Sequence, residues 1–479
     1  MAIRVRQDVY KLGQWDPVLL WYAKAVAELK KRPIKDPTSW RYQAAIHGYT
    51  LQEDPFRKAG EAQPSVADRT KFWNQCQHFS WFFLPWHRMY LHCFEQTIQA
   101  TVVKLGGPPD WSLAYWNYSD TNNASARKLP PAFTDAKLPD GSANPLRIAE
   151  RDPGMLAGQP MAAAGTNLNC LKATVFAGGS AGGTPGFGGP KTLFSHVGSA
   201  FGTLEATPHG DVHMAVGGAS VGGWMTSFNQ AALDPIFWLH HANIDRLWQV
   251  WLNRNAGFIN PTGKDWLDAV GVTFNLHNGS GSAVKFTPQQ VVDTTKPPLN
   301  YRYEDVTDPF AGVGLAASTA VTAPLQPAEM VGAQTGVALG NAPVTAAVAL
   351  SEPQGPAKAA LAAGEQPRVL LNLENVTGQG NFSSFAVYLN VPLAAAKVDD
   401  DPSLLAGTMP MFGVREASQP GATHAGDGVT YVLDITDVVN QLKQSGNWDP
   451  TNLRVTFAPI SPGDTGASVR VGRVGLFYQ

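Results

Sequence analysis

The stretch QCQHFSWFFLPWHRMYLHCFE, residues 75–95, decides the fold, because it sets two histidines among bulky aromatic side chains. His78 and His87 stand nine positions apart, and a leucine-proline-tryptophan run (84–86) closes the aromatic segment between them. A neutral imidazole is the commonest metal ligand, and an aromatic wall keeps water away from a metal site. Either histidine alone is most simply a core residue, but a second histidine cluster downstream favours a metal centre.

Composition excludes several classes of function. The chain has 479 residues, which is enough for more than one domain and a large core. A formal charge of −2 gives no basic surface, so we expect no nucleic-acid partner. No apolar run reaches the roughly 18 residues that span a bilayer, so we expect no membrane insertion. Residues 1–17 show neither an apolar export segment nor paired arginines, so we expect the chain as given to be cytoplasmic.

Periodicity predicts a mainly α protein: a helical bundle with long loops, followed by a small C-terminal β-sandwich. Helical spacing, first-turn prolines and glycine stops predict helices over 17–26, 39–47, 85–104 and 235–252. Short strand-like runs are predicted over 369–373, 385–389, 431–435, 453–457 and 469–476. We therefore predict a catalytic domain over 1–310, an Ala/Gly/Pro-rich linker over 311–365 and a sandwich over 366–479.

A second histidine cluster strengthens the metal hypothesis. His209 and His213 stand at positions i and i+4, so on a helix they face one side and can share an ion. One of His240 and His241 completes this set, and the aromatic stripe of the 235–252 helix favours His241. His47 joins the two histidines of the opening stretch in the other set. An all-imidazole set suits copper, zinc, iron or nickel, with copper high in the affinity order, and adjacent sets predict two ions about 4 Å apart.

Several motifs together resemble one protein family. They are CQH (76–78), FLPWHR (83–88), AYWN (114–117), the segment PHGDVH (208–213), the helix DPIFWLHHANIDRLW (234–248) and the tyrosine motif YRY (301–303). Over residues 35–305 the chain resembles the type-3 copper proteins, which are tyrosinases, catechol oxidases and molluscan-type hemocyanins. Residues 383–478 resemble the C-terminal domain of plant-type polyphenol oxidases.

The resemblance implies a dicopper centre with O₂ as co-substrate. By it, CuA is bound by His47, His78 and His87, and CuB by His209, His213 and His241. It also implies a thioether between Cys76 and His78, for which the alternative is a buried free thiol.

The resemblance further implies O₂-dependent oxidation of o-diphenols (catechols) to o-quinones, with weaker ortho-hydroxylation of monophenols. The alternatives are a tyrosinase with full monophenolase activity and a hemocyanin-like O₂-binding protein. One copper unit with a small cap favours an enzyme that acts on small phenolic substrates. A zinc hydrolase is disfavoured, because no water-activating carboxylate accompanies the histidines.

Three further residues bear on which phenols react. Glu205, four residues before His209, matches a glutamate that is thought to hold a water for hydroxylation in strong tyrosinases, although a surface or capping carboxylate is the alternative. Gly210 stands where those enzymes carry an asparagine, so we expect diphenol oxidation to outpace hydroxylation. Phe228 matches the bulky gate residue over CuA, with a plain core phenylalanine as the alternative.

The C-terminal domain carries a candidate plug for the copper pocket. The segment LAGTMPMF (405–412) matches the region from which related proteins insert a side chain into that pocket. Met411 and Phe412 are the candidates, with the sandwich core as the alternative for each. We therefore expect the whole chain to be partly latent.

Overall fold

The chain forms a helical unit followed by a β-sandwich. The computed structural model describes residues 3–50, 56, 58–179, 182–193, 200–269, 273–311, 327–391, 402–420 and 426–479. The helices are α1 (Pro17–Lys31), α2 (Trp40–His47), α3 (Val66–Phe72), α4 (Phe83–Lys104), α5 (Pro153–Leu156), α6 (Asp211–Gly217), α7 (Ile236–Arg254), α8 (Lys264–Leu267), α9 (Pro356–Ala362), α10 (Val414–Ala417) and α11 (Thr436–Gln444). The strands are β1 (Arg4–Arg6), β2 (Ala177–Gly178), β3 (Gly189–Pro190), β4 (Phe274–His277), β5 (Ala283–Phe286), β6 (Tyr301–Tyr303), β7 (Glu329–Leu339), β8 (Val344–Ala349), β9 (Val369–Gln379), β10 (Phe385–Leu389), β11 (Leu405–Met409), β12 (Val429–Asp434), β13 (Asn452–Pro459) and β14 (Ser468–Tyr478).

The long helices of the first unit follow the predicted pattern. The carboxylate of Asp16 caps α1 at its first turn. α4 begins two residues earlier than predicted, at Phe83, because Pro85 is tolerated inside a first turn. Residues 236–248 of α7 are all buried, so this helix forms the centre of the unit. None of the helices in the described part of the chain combines the length and apolar character that crossing a membrane requires.

A buried ionic cluster joins both ends of the helical unit to α4 and α7. Strand β1 pairs in parallel with β6, the tyrosine motif. Asp245 on α7 accepts hydrogen bonds from Arg88 Nε at 2.5 Å and from the two β6 tyrosine hydroxyls at 2.5 and 2.6 Å. Arg6 of β1 forms a 2.8 Å ion pair with Glu95 of α4. These contacts fix the two helices that carry histidines of the candidate site.

In the described part of the sandwich the strands form two four-stranded sheets, ordered β11-β10-β13-β8 and β12-β9-β14-β7. All five predicted strands are present. The linker prediction over 311–365 is wrong for residues 329–362, because β7 and β8 pair with β14 and β13 and α9 follows them. These are edge strands with largely exposed alanine, glycine and threonine, so the sequence lacks the apolar alternation that marks a strand. Residues 312–326 of the predicted linker lie outside the described residues.

The sandwich is docked against the helical unit. Phe201 donates its backbone N–H to Thr430 O at 3.3 Å, and its ring packs on Tyr431 with centroids 5.0 Å apart. Lys172 forms a 2.6 Å ion pair with Asp437 of α11. This docking places β11 and the residues after it above the histidines.

Candidate metal centre

The six histidines predicted as copper ligands meet between the helices, and all six are buried. They are His47 at the end of α2, His78 before α4, His87 on α4, His209 in a π-helical turn (Glu205–Gly210), His213 on α6 and His241 on α7. The predicted stop at Gly48 ends α2 directly after its histidine. His209 and His213, the i, i+4 pair, lie on either side of the junction between the π-helical turn and α6. Their ring centroids are 4.7 Å apart.

Oxygen atoms fix the orientation of five of these rings through Nδ1. Four are backbone carbonyls: Phe228 O for His47 at 2.9 Å, Phe83 O for His87 at 2.8 Å, Glu205 O for His209 at 2.9 Å and Met225 O for His213 at 2.9 Å. The fifth is the Glu205 carboxylate, 3.0 Å from His78 Nδ1. A carbonyl oxygen only accepts, so Nδ1 carries the proton and Nε2 keeps its lone pair.

The Nε2 atoms converge as a metal site requires. Those of His47 and His78 lie 3.4 Å apart, and with both rings protonated on Nδ1 the two lone pairs face each other. A cation between them removes this repulsion. Nε2 of His87 and Nε2 of His209 are buried without a hydrogen-bond partner among the described residues. Buried imidazole acceptors that lie within ligand distance of other histidines fit copper ions.

The two histidine sets share a boundary at α7. One ring nitrogen from each of four histidines lies within 4.8 Å of the others: His209, His213, His240 and His241. The same holds for His47, His87 and His241. His241 Nε2 is 3.3 Å from His213 Nε2. His240 is buried next to the same set, and neither of its nitrogens has a hydrogen-bond partner in the described structure. The structure thus brings both α7 histidines together, and of the two His241 alone also meets the first set.

Burial favours the neutral form of His87, His209, His213 and His241. It lowers the pKa of His209 to about 3. It also lowers the pKa of His87, His213 and His241 well below the ordinary value, with neighbouring imidazoles adding to the effect. Neutral imidazoles are the form that binds metal, so the site needs no proton release from these rings when an ion enters.

Cys76 lies in the first histidine set. Its sulfur and one ring nitrogen each of His47 and His78 lie within 4.8 Å of one another. Burial raises the pKa of the thiol, so it is not a thiolate ligand by default. The thioether between Cys76 and His78 stays a prediction. The two side chains are neighbours in the structure.

Glu205 is part of the site and not a surface or capping carboxylate. The side chain is fully buried, and besides facing His78 it accepts the backbone N–H of Phe79 at 2.9 and 3.1 Å. Burial raises the pKa of Glu205 well above its ordinary value, and the amide of Phe79 opposes that shift. The carboxylate is therefore engaged by protein groups on the CuA side.

Phe228 and Gly210 lie where the sandwich approaches the histidines. The Phe228 ring stacks on His78 with centroids 4.3 Å apart and planes 13° apart. A Cβ at Gly210 would lie 3.0 Å from Pro410 Cγ of the sandwich. In the docked chain Pro410 therefore leaves little room for a side chain at position 210.

Among the described residues of the sandwich, Phe412 packs directly on the histidine rings. Its ring is fully buried, stacks on His213 with centroids 4.0 Å and planes 13° apart, and meets Phe228 edge-on at 4.4 Å. Met411, the other candidate from the sequence, lines a small neighbouring cavity with Met214 instead. The bend at Gly413, with φ of +79°, follows directly.

Sequence reasoning found the ligand candidates but not what orients them. The carbonyls of Phe83 and Glu205 stand four residues before the histidines they serve, which is a readable helical spacing. The carbonyls of Phe228 and Met225 lie far along the chain from the histidines that they hold. Every residue has a backbone carbonyl, so no side chain in the sequence marks these two.

Helical architecture, two adjoining all-histidine sets and a covering sandwich define a type-3 copper protein. The family described as the common central domain of tyrosinase matches residues 37–254, and a domain of unknown function matches residues 327–479. A tyrosinase from Hahella sp. (strain CCB-MM4) is 36% identical over 100% of both chains. A chloroplastic polyphenol oxidase from Malus domestica is 28% identical over 60% of this chain and 46% of its own length. The chain thus spans about half the length of that plant relative.

A solved structure agrees with the fold. Latent apple tyrosinase superposes with a TM-score of 0.63 at 21% identity, covering 100% of this chain and 98% of the other. The chain belongs to the tyrosinase family, whose members are dicopper enzymes that oxidise phenols, and it is a copper-dependent oxidoreductase.

Proposed function

We propose that this protein oxidises catechols to o-quinones with O₂ at two coppers, and hydroxylates monophenols more slowly. The observation that carries the proposal is the convergence of six buried imidazoles, four of them held at Nδ1 by backbone carbonyls, with Nε2 of His87 and of His209 unpartnered among the described residues. His47, His78 and His87 would hold one copper, and His209, His213 and His241 the other. When bound, the pair of coppers supplies O₂ activation and accepts electrons from the phenol.

The chain's own residues would position the substrate ring. Phe228, flat against His78, would form one wall of the pocket and set the angle at which a planar phenol approaches. Hydroxylation of a monophenol needs a base that takes its proton. Gly210 has no side chain to orient a water for that purpose, and the Glu205 carboxylate already accepts from Phe79 N–H. Both features support a preference for catechols, which are oxidised without a hydroxylation step.

We also propose that the docked sandwich makes the chain latent. Phe412 fills the place above His213 that a substrate ring would need. The ring also meets Phe228 edge-on at 4.4 Å, so the two phenylalanines together cover the face of His213 and of His78. A phenol ring that stacks on His213 therefore needs Phe412, and with it the sandwich, to move or leave.

A two-substrate assay tests the proposal. Copper-loaded protein is assayed under air with dopamine and with tyramine, before and after proteolysis between residues 312 and 326, and quinone absorbance is read. We expect proteolysis to raise dopamine turnover at unchanged copper content, with tyramine slower throughout. Equal rates on both phenols would identify a full tyrosinase. Copper-bound protein that takes up O₂ reversibly without turnover, cut or uncut, would identify an O₂ carrier.

A further inference from the structure

We infer that Glu205 is a positioning residue that holds one histidine of each copper set, and that it does not act by holding a water. The inference rests on the dicopper function proposed above. Glu205 reaches the two sets through different atoms. Its backbone carbonyl accepts from His209 Nδ1 at 2.9 Å, and its carboxylate Oε1 lies 3.0 Å from His78 Nδ1. One residue thus sets the direction of Nε2 in both sets.

The carboxylate also fixes the backbone beside His78. Phe79 has φ of +56°, a left-handed conformation that is uncommon for a residue with a bulky side chain, and its ring is fully buried. Both carboxylate oxygens of Glu205 accept the Phe79 N–H, at 2.9 and 3.1 Å. These bonds hold the turn in the one conformation that aims the His78 ring at His47.

The surroundings of the carboxylate leave it poorly placed as a water holder. Its side chain is fully buried, and the contacts above all lie on the CuA side of the site. Gly210, on the CuB side, offers no second group to share a water. Partners of this kind, which hold the far nitrogen of a metal-bound imidazole, change metal affinity about 10- to 100-fold when removed.

Copper affinity of the full-length protein tests the inference. Wild type, Glu205→Ala and Glu205→Gln are loaded with copper and titrated with a copper chelator, and copper per chain is counted at each free-copper concentration. We expect Glu205→Ala to lose copper at a free-copper concentration about 10- to 100-fold above wild type. Glu205→Gln should fall between them, since the amide oxygen still accepts from Phe79. Both variants keep the backbone carbonyl that holds His209, so the loss should fall first on the copper of the set that contains His78.

Asp211→Asn is the matched control. Asp211 is a buried carboxylate two residues beyond His209, and it accepts hydrogen bonds from the hydroxyls of Thr207 and Thr408, which lie away from the histidine rings' nitrogen atoms in the described contacts. This variant should keep wild-type copper affinity. Thermal unfolding of the copper-free proteins is measured alongside, and Glu205→Gln, which preserves shape, decides the matter if Glu205→Ala does not fold.

The same proteins separate positioning from water holding. Per bound copper, Glu205→Gln should keep the wild-type ratio of tyramine to dopamine turnover. Wild-type copper affinity in the glutamine variant, together with a selective loss of tyramine turnover, would overturn the inference and leave the proposed function standing. Wild-type protein that binds no copper would instead refute the proposed function, and the inference with it.

Discussion

Replacing Phe412 by alanine should activate the uncut chain. The ring is fully buried between His213, on which it stacks at 4.0 Å, and Phe228, which it meets at 4.4 Å. Removing a buried phenylalanine costs about 3–5 kcal/mol, and part of that loss falls on contacts that hold the sandwich over the site. If about 1.4–2.8 kcal/mol falls on docking, the open population rises about 10- to 100-fold, because 1.4 kcal/mol is a factor of ten.

The assay is dopamine oxidation by uncut Phe412→Ala and wild type at equal copper content. Met411→Ala is the matched control, because it removes a neighbouring buried side chain that lines a cavity beside the site. We expect Phe412→Ala to approach the turnover of cut protein and Met411→Ala to stay near wild type. Equal activation by both variants would show that general loosening, and not the ring over His213, controls access. No activation by Phe412→Ala would refute the plug.

Three further predictions concern the substrate, the crosslink and stability. In protein cut free of the sandwich, Gly210→Asn should raise tyramine turnover relative to dopamine turnover, and an unchanged ratio would show that position 210 does not set the preference. Intact mass of unfolded holo protein should be two hydrogens below the calculated value, with no deficit in Cys76→Ser, and an alkylatable Cys76 would exclude the thioether to His78. Although burial, the largest single effect, raises the pKa of Glu95, the charges of Arg6 and Arg4 and the hydrogen bonds from Arg6 and Leu113 N–H together lower it from 4.5 to about 2. A depressed carboxylate pKa adds stability above the unfolded value, about 3 kcal/mol here, that is lost as pH falls from 4.5 toward 2. Denaturant unfolding of wild type and Glu95→Gln measures this, and the variant should lose that pH dependence.

Much of the helical unit was predictable because its signals are local. Capping by Asp16, the stop at Gly48 and the apolar all-round pattern of α7 each act within a few residues. Local spacing also pairs His209 with His213, whereas the full ligand sets were predicted from the resemblance to type-3 copper proteins. The choice between His240 and His241 was not decided by spacing, because both rings reach the second set.

The features that sequence reasoning missed depend on distant contacts. Strands β7 and β8 pair with β14 and β13, and their many alanine and glycine residues give little strand signal without those partners. Phe412 and Met411 were indistinguishable as apolar neighbours until the docked sandwich turned one of them toward His213. The sequence shows only that Gly210 lacks a side chain. The contact with Pro410 depends on the docked sandwich, so the sequence does not reveal it.

Copper content tests the central claim most directly, which is that two histidine sets hold two ions. Metal analysis of wild type, His87→Ala and His213→Ala after copper loading and dialysis counts ions per chain. We expect two coppers in wild type, one in each variant, and no catechol oxidation by either variant after proteolysis. Two coppers or full oxidation in His87→Ala or His213→Ala would contradict the assignment.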